Sequence, residues 1–137
     1  MGQPKTRLNG PQLFHVNFHT LHNRAVFEVP EYLTLAEREL REAMRKWKLP
    51  VLAWTVMPTH VHLVVMTFPD LPLGRVLRLL KGRVAHELLA AAPELRADLG
   101  DHLWQEGYDW VEIVSHRQFL NAVNYVRENR RRGGVEE

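Results

Sequence analysis

The feature that most restricts the fold is the way the hydrophobic repeat switches along the chain between two residues and about 3.6 residues. "LFHVNFHT" sets Phe14, Val16 and Phe18 against His15, Asn17 and His19, the alternation of a half-buried strand. "TLAERELREAMRKWKLP" then carries Ala36, Leu40, Ala43, Met44 and Trp47 at helical spacing. It opens with Thr34 and Glu37 at capping-box spacing and stops before Pro50. "VLAWTV" and "HVHLVVM" are apolar, β-branched runs joined through "MPT", where Pro58 supplies turn chemistry, so they read as antiparallel neighbours. "LGRVLRLLKGRVAHELLAA" returns to helical spacing through Leu73, Val76, Leu77, Leu80, Val84 and Leu88. "GYDWVEIVS" alternates again, with Val111 and Ile113 facing one way and Trp110 and Val114 the other. Ser115 and Gln118 repeat the capping-box spacing and begin "HRQFLNAVNYVRENRRR", a helix predicted to end at Gly133 and Gly134. The order is ferredoxin-like βαββαβ: an α+β antiparallel sheet with helices packed on it, plus an added C-terminal helix. Trp47, Trp54 and Trp110 are expected in its core.

A chain of 137 residues fits one domain with its own core. Residues 1–11, "MGQPKTRLNGP", read as a flexible N-terminal arm, and residues 12–134 as the single domain. The arm lacks the apolar stretch of a secretory signal, and no apolar run approaches the roughly 20 residues needed to span a bilayer, so no membrane segment is expected. The absence of cysteine excludes disulfides and thiolate zinc sites and is consistent with a reducing cytoplasm. Any metal must be held by His, Asn, Asp or Glu. The formal charge is only +2, but the basic residues are unevenly placed. Arg75, Arg78, Lys81 and Arg83 form one block and Arg127, Arg130, Arg131 and Arg132 another. Two such blocks can track phosphates, although each also reads as an ordinary solvated helix face.

Two residue sets point to chemistry. His60 and His62 lie two apart on a strand, so their side chains share a face and form a fork. The fork reads as a pair of metal ligands or as histidines hydrogen-bonded within a sheet. On the last helix, Phe119, Leu120, Val123 and Val126 define the apolar stripe, and Tyr125 falls roughly opposite its centre. Asn129 follows one turn later, so a phenolic oxygen and an amide oxygen address the same small volume. Taken alone, that pair also reads as two exposed polar residues. Two imidazoles and one amide would make a three-ligand divalent site with open positions, able to polarise a phosphodiester. A tyrosine beside it could attack phosphorus and store the bond energy of the cut strand in a phosphotyrosine. Tyr108 is the rival nucleophile, on a strand with no helix-face partner. Trp104 and Tyr108 could stack on unpaired bases. His15 and His19 either border the site or are ordinary sheet-surface residues.

In "FHVNFHTLHNRAVF", "MPTHVHLVV", "LLKGRVAHELL", "LWQEGYDW" and "AVNYVRENRRRGG", spanning about residues 13–134, the chain resembles the REP-associated tyrosine transposases. It is likewise similar to their single-tyrosine insertion-sequence relatives in the HUH endonuclease superfamily. The resemblance implies that His60 and His62 bind a divalent metal, Mg²⁺ or Mn²⁺, that Asn129 completes the metal site, and that Tyr125 is the nucleophile. It also implies single-stranded or hairpin DNA substrates and a 5′-phosphotyrosyl intermediate with a free 3′-OH. Such relatives include dimers, which leaves a homodimer or a monomer open. The chain departs from the family at Thr59, often Asn, at Glu106, often basic, at His19, often Arg, and at Arg130, often Pro. None of these replaces a presumed catalytic group; Arg130 implies a longer last helix.

Three functions follow from these residues: a metal-dependent DNA-nicking and joining enzyme, a non-catalytic DNA- or RNA-binding module on the same scaffold, or a phosphodiesterase using water. The set His60, His62, Tyr125 and Asn129 favours the first.

Overall fold

The computed structural model describes residues 2–7 and 10–132, the last three of them as helix backbone alone. The elements run β1 (Gln12–His19), α1 (Pro30–Lys46), β2 (Val51–Val56), β3 (His60–Thr67), α2 (Leu73–Ala91), a short α3 (Arg96–Leu99), β4 (Asp109–Ile113) and α4 (His116–Arg132). The strands form one antiparallel sheet in the order β2-β3-β1-β4, the ferredoxin-like arrangement.

The alternation of β1 sorts the molecule into layers. Phe14, Val16 and Phe18 are fully buried on one face together with Val61, Leu63 and Val65 of β3. On that face pack Ala36, Leu40 and Ala43 of α1 and Val76, Leu77, Leu80, Val84 and Leu88 of α2. The other face carries a smaller cluster in which Ala53, Val64 and Ile113 meet Ala122, Val123 and Val126 of α4. β3 is therefore covered on both sides, which is why "HVHLVVM" reads as nearly continuous apolar sequence.

Several boundaries differ from the sequence reading. α1 begins at Pro30, in the first turn where its missing N–H costs nothing, and Thr34 lies inside the helix rather than capping it. Trp47, expected in the core, sits at the C-cap of α1, is 36% exposed and has the Lys46 ammonium 4.9 Å above its ring. Of residues 1–11, read as a flexible arm, Gly2, Gln3 and Arg7 make contacts at β4 and the residue before it and at the start of β1, while residues 1, 8 and 9 lie outside the described ones. Trp110 Nε1 donates to Gly2 O at 2.7 Å, Tyr108 Oη donates to Gln3 Oε1, and Arg7 pairs with Glu112 at 2.9 Å. Arg7 N also donates to Gln12 Oε1 at 3.0 Å. Among the described residues no helix is long and apolar enough to cross a membrane.

Candidate active site

The fork is set by a tight turn. Met57 N donates to His60 O at 2.7 Å across Pro58 and Thr59, and the loop after β1 pins that turn, with Thr20 N donating to Thr59 O at 2.9 Å and Phe27 N to Pro58 O at 3.1 Å. His60 and His62 leave β3 on the α4 face, and their Nε2 atoms meet at 3.0 Å. Two nitrogens each about 2.1 Å from one cation, at right angles around it, stand about 3 Å apart. His60 Nδ1 lies 2.9 Å from Thr59 Oγ1; with the ring N–H donating there, Nε2 keeps a bare lone pair. The donor set thus fits a divalent cation, and imidazole nitrogen suits Mn²⁺ better than Mg²⁺, which prefers oxygen. The described residues contain no group of three or more His, Asp or Glu side chains placed to hold a metal, so further protein ligands would have to be of another type. Asn129, half-buried on α4, is the amide expected in that role.

Cross-strand pairing adds residues to the fork. β1 runs beside β3 with His19 opposite His60 and Asn17 opposite His62. His19 stacks on His60, with ring centroids 4.9 Å apart, and its nitrogens contact Asn23 Oδ1 at 2.9 Å and Asn17 Oδ1 at 3.2 Å. Asn23 has φ 53°, a left-handed conformation that asparagine tolerates better than most residues. His15 lies 5.7 Å from His62, ring to ring, and its buried Nε2 has no hydrogen-bond partner among the described residues; the same holds for His62 Nδ1. Burial pushes the pKa of His15 and His60 below the usual imidazole value, and for His60 the charge of His19 adds to the effect. Burial first, then the charges of His60, His15 and His19, lower that of His62 to about 4. At neutral pH the fork is uncharged, and across the 3.0 Å contact one Nε2–H donates to the lone pair of the other Nε2.

Tyr125 comes to this cluster from the other layer. Its ring centroid is 5.4 Å from that of His62 and 5.6 Å from that of His15, edge-on to both. The side chain is 47% exposed. It does not face directly away from the core, as the sequence stripe implied. The stripe that packs on the sheet is Phe119, Ala122, Val123 and Val126, while Leu120 is 46% exposed. Exchanging Leu120 for Ala122 turns the buried face toward Tyr125, which flanks it at about 110° from its centre. The helix start is capped by the predicted pair: Gln118 N donates to Ser115 Oγ at 3.1 Å, and Gln118 Oε1 accepts from Val114 N at 2.9 Å.

The remaining predicted residues separate. Tyr108 is half-buried on the α2 side of the sheet, bonded to Gln3, away from the fork. Trp104 is 9% exposed and donates to Lys81 O at 2.9 Å, which makes it a core residue and no stacking platform. Arg75 and Arg78 are exposed on α2, but Lys81 is half-buried with its ammonium on Gln105 O at 3.1 Å and Gly107 O at 2.8 Å. Burial lowers the Lys81 pKa. Arg83 pairs with the buried Glu39 of α1 at 2.7 Å, so its charge is answered within the fold. Arg127 is exposed on α4; the side chains of Arg130, Arg131 and Arg132 lie outside the described residues. Sequence reasoning undervalued His15, Asn17 and His19. The signal was their shared strand face, but only the register against β3 assigns that face to the fork.

The comparisons with known proteins agree with this architecture. The chain is 34% identical over 88 residues to the ISDra2 transposase TnpA of Deinococcus radiodurans, a match covering 64% of this chain and 62% of that protein. In fold it resembles the REP-associated tyrosine transposase solved bound to a REP hairpin, with a TM-score of 0.69, 18% identity, and 99% of this chain and 76% of that one covered. It also resembles a crystal structure of a candidate transposase from Deinococcus radiodurans R1, with a TM-score of 0.67, 24% identity, and 93% and 97% covered. The sequence model described as "Transposase IS200 like" matches residues 12–129, nearly the whole described domain, and the chain belongs to the IS200-like transposase family.

Proposed function

We propose that this chain is a transposase that cleaves and rejoins single-stranded or hairpin DNA through Tyr125. The observation that carries the reading is the Tyr125 ring packed edge-on against His62, beside two imidazole nitrogens facing each other at 3.0 Å. The family membership and the hairpin-bound fold relative support DNA as the partner. A divalent cation, Mg²⁺ or Mn²⁺, held by His60 and His62 with Asn129, would supply Lewis-acid polarisation of the phosphodiester. Tyr125 Oη attacks phosphorus, an Oη–P bond forms and the P–O3′ bond breaks. The phenolic proton passes to solvent and the departing 3′ oxygen gains one, leaving a 5′-phosphotyrosine and a free 3′-OH. The reverse step rejoins a 3′-OH without ATP. Thr59 Oγ1 holds the His60 ring through Nδ1, and His15 and His62 limit where the Tyr125 ring can lie. Arg75, Arg78 and Arg127 are free to meet phosphates, whereas Lys81 and Arg83 serve the fold first.

The test is a denaturing gel with labelled hairpin oligonucleotides from the flanks of the gene, with Mn²⁺. The expected result is a covalent protein–DNA band that disappears with chelator and in Tyr125→Phe but persists in Tyr108→Phe. A Tyr125→Phe protein that links to DNA as well as its parent would overturn the assignment. Salt-sensitive hairpin binding with no adduct at any metal concentration would leave a binding module instead.

A further inference from the structure

Between α4 and the β1–β4 edge lies a cleft of about 570 Å³ that opens onto Tyr125 and His62. Its composition is unlike that of a phosphate site: among the described residues no lysine or arginine lines it, and its only acidic side chain is Asp109. A phosphodiester placed there would meet a carboxylate and no countercharge. The walls are instead apolar surfaces with neutral polar edges, from Val111 and the Tyr125 ring to the carboxamides of Asn17, Gln118 and Asn121. Val111 is 59% exposed although it stands on a sheet face that α4 otherwise covers. Gln118 is locked by its cap: Oε1 accepts from Val114 N, so its NH₂ is the end left to donate. Asn121 and Asp109 have side chains engaged with no other described residue.

We infer that this cleft, with Asp109, Gln118 and Asn121 on its edges, seats one unpaired nucleobase next to the phosphate that Tyr125 attacks, and prefers a base with an exocyclic amine to thymine. The inference rests on the proposed function for the position of that phosphate. A carboxylate accepts from an adenine N6 or cytosine N4 amine, while thymine presents O4 there, and two acceptors facing each other leave both unpaired. The carboxamide NH₂ groups donate to the ring nitrogen beside the amine, N1 or N7 of adenine and N3 of cytosine. A base has a flat apolar face for Val111 and the tyrosine ring, which a phosphate lacks. The site would therefore read the sequence at one position, separately from any contact that the arginines make with the backbone.

The test uses the full chain as Tyr125→Phe in chelator, so that nothing is cut, with single strands of six adenines, six cytosines or six thymines as probes. The adenine and cytosine strands are expected to bind about tenfold or more tighter than the thymine strand. Their binding should shift the side-chain amide NMR signals of Gln118 and Asn121. Asp109→Asn, at an exposed strand end, should bring the three affinities to within about twofold, and Asn121→Ala should weaken the preferred strands selectively. Equal affinities in the protein that keeps Asp109, absence of binding, or amide signals of Gln118 and Asn121 that stay still while others move would each overturn the inference. The adduct assay reports separately: base preference without an adduct from the Tyr125 protein refutes the catalytic reading and keeps the cleft, and an adduct without base preference does the reverse.

Discussion

His62 concentrates the physics of the site. It is 7% exposed, its Nδ1 has no partner among the described residues, and its Nε2 faces another imidazole. An unpaired buried polar atom costs roughly 1–3 kcal/mol, and here that cost falls on Nδ1 rather than on the Nε2 of the fork. The depressed pKa fixes the sign of the pH response. Unfolded, the ring takes a proton near 6.5; folded, it resists until about 4. Between those values the unfolded state binds more protons, so metal-free protein should lose stability as pH falls from 6.5 toward 4. Urea unfolding in chelator at pH 7.5, 5.5 and 4.5 checks this, and an unchanged midpoint would refute it. At pH 7.5, Mn²⁺ should raise the melting temperature of the parent by mass action, but not that of His60→Ala or His62→Ala. That outcome is read in a thermal-shift titration.

At the scale of elements, α4 stands outside the main core. Among the described residues it joins a cluster smaller than the one under α1 and α2, so its cap matters more than usual. Ser115→Ala should cost about 1 kcal/mol in urea unfolding, and adduct formation should fall further than the folded fraction does, since fraying displaces Tyr125. Leu80→Ala, in the fully buried core of α2, should cost about 2–5 kcal/mol while leaving adduct formation per folded molecule unchanged. The reverse ranking of the two variants in the adduct assay would show that α4 is not the element that limits the site.

At the scale of the whole molecule, the sheet separates two surfaces. α2, with Arg75 and Arg78, covers one face, and the fork, Tyr125 and α4 occupy the other. Among the described residues, Arg75 and Arg78 therefore lie on the opposite face from the histidines, whereas Arg127 shares the face of α4. If Arg75 and Arg78 each meet one phosphate, Arg75→Ala and Arg78→Ala should each reduce the slope of log affinity against log salt by about 1 for hairpin binding. Arg83→Ala should leave the slope intact and lower the unfolding midpoint instead, because buried Glu39 would keep only Arg38 as a partner. Binding isotherms at several salt concentrations, with parallel unfolding curves, separate the two roles.

The order of the four strands and three long helices, the bounds of α2 and the cap of α4, though not the short α3, are legible in the amino-acid sequence, because they depend on contacts within a few residues: periodicity, a Ser and a Gln three apart, a proline in a turn. The sequence also put His60 and His62 on one strand face, since side-chain alternation is a property of the strand alone. Tertiary structure decided which face that was and what stood opposite. The register that places His19 against His60 and Asn17 against His62, and the rotation of α4 that buries Ala122 while exposing Leu120, arise from packing between segments far apart in the chain. The docking of residues 2–7 along β4, the burial of Trp104 and the pairing of Arg83 with Glu39 are of the same kind. Local pattern specifies which side chains share a surface, but only the free energy of packing those surfaces together selects their neighbours.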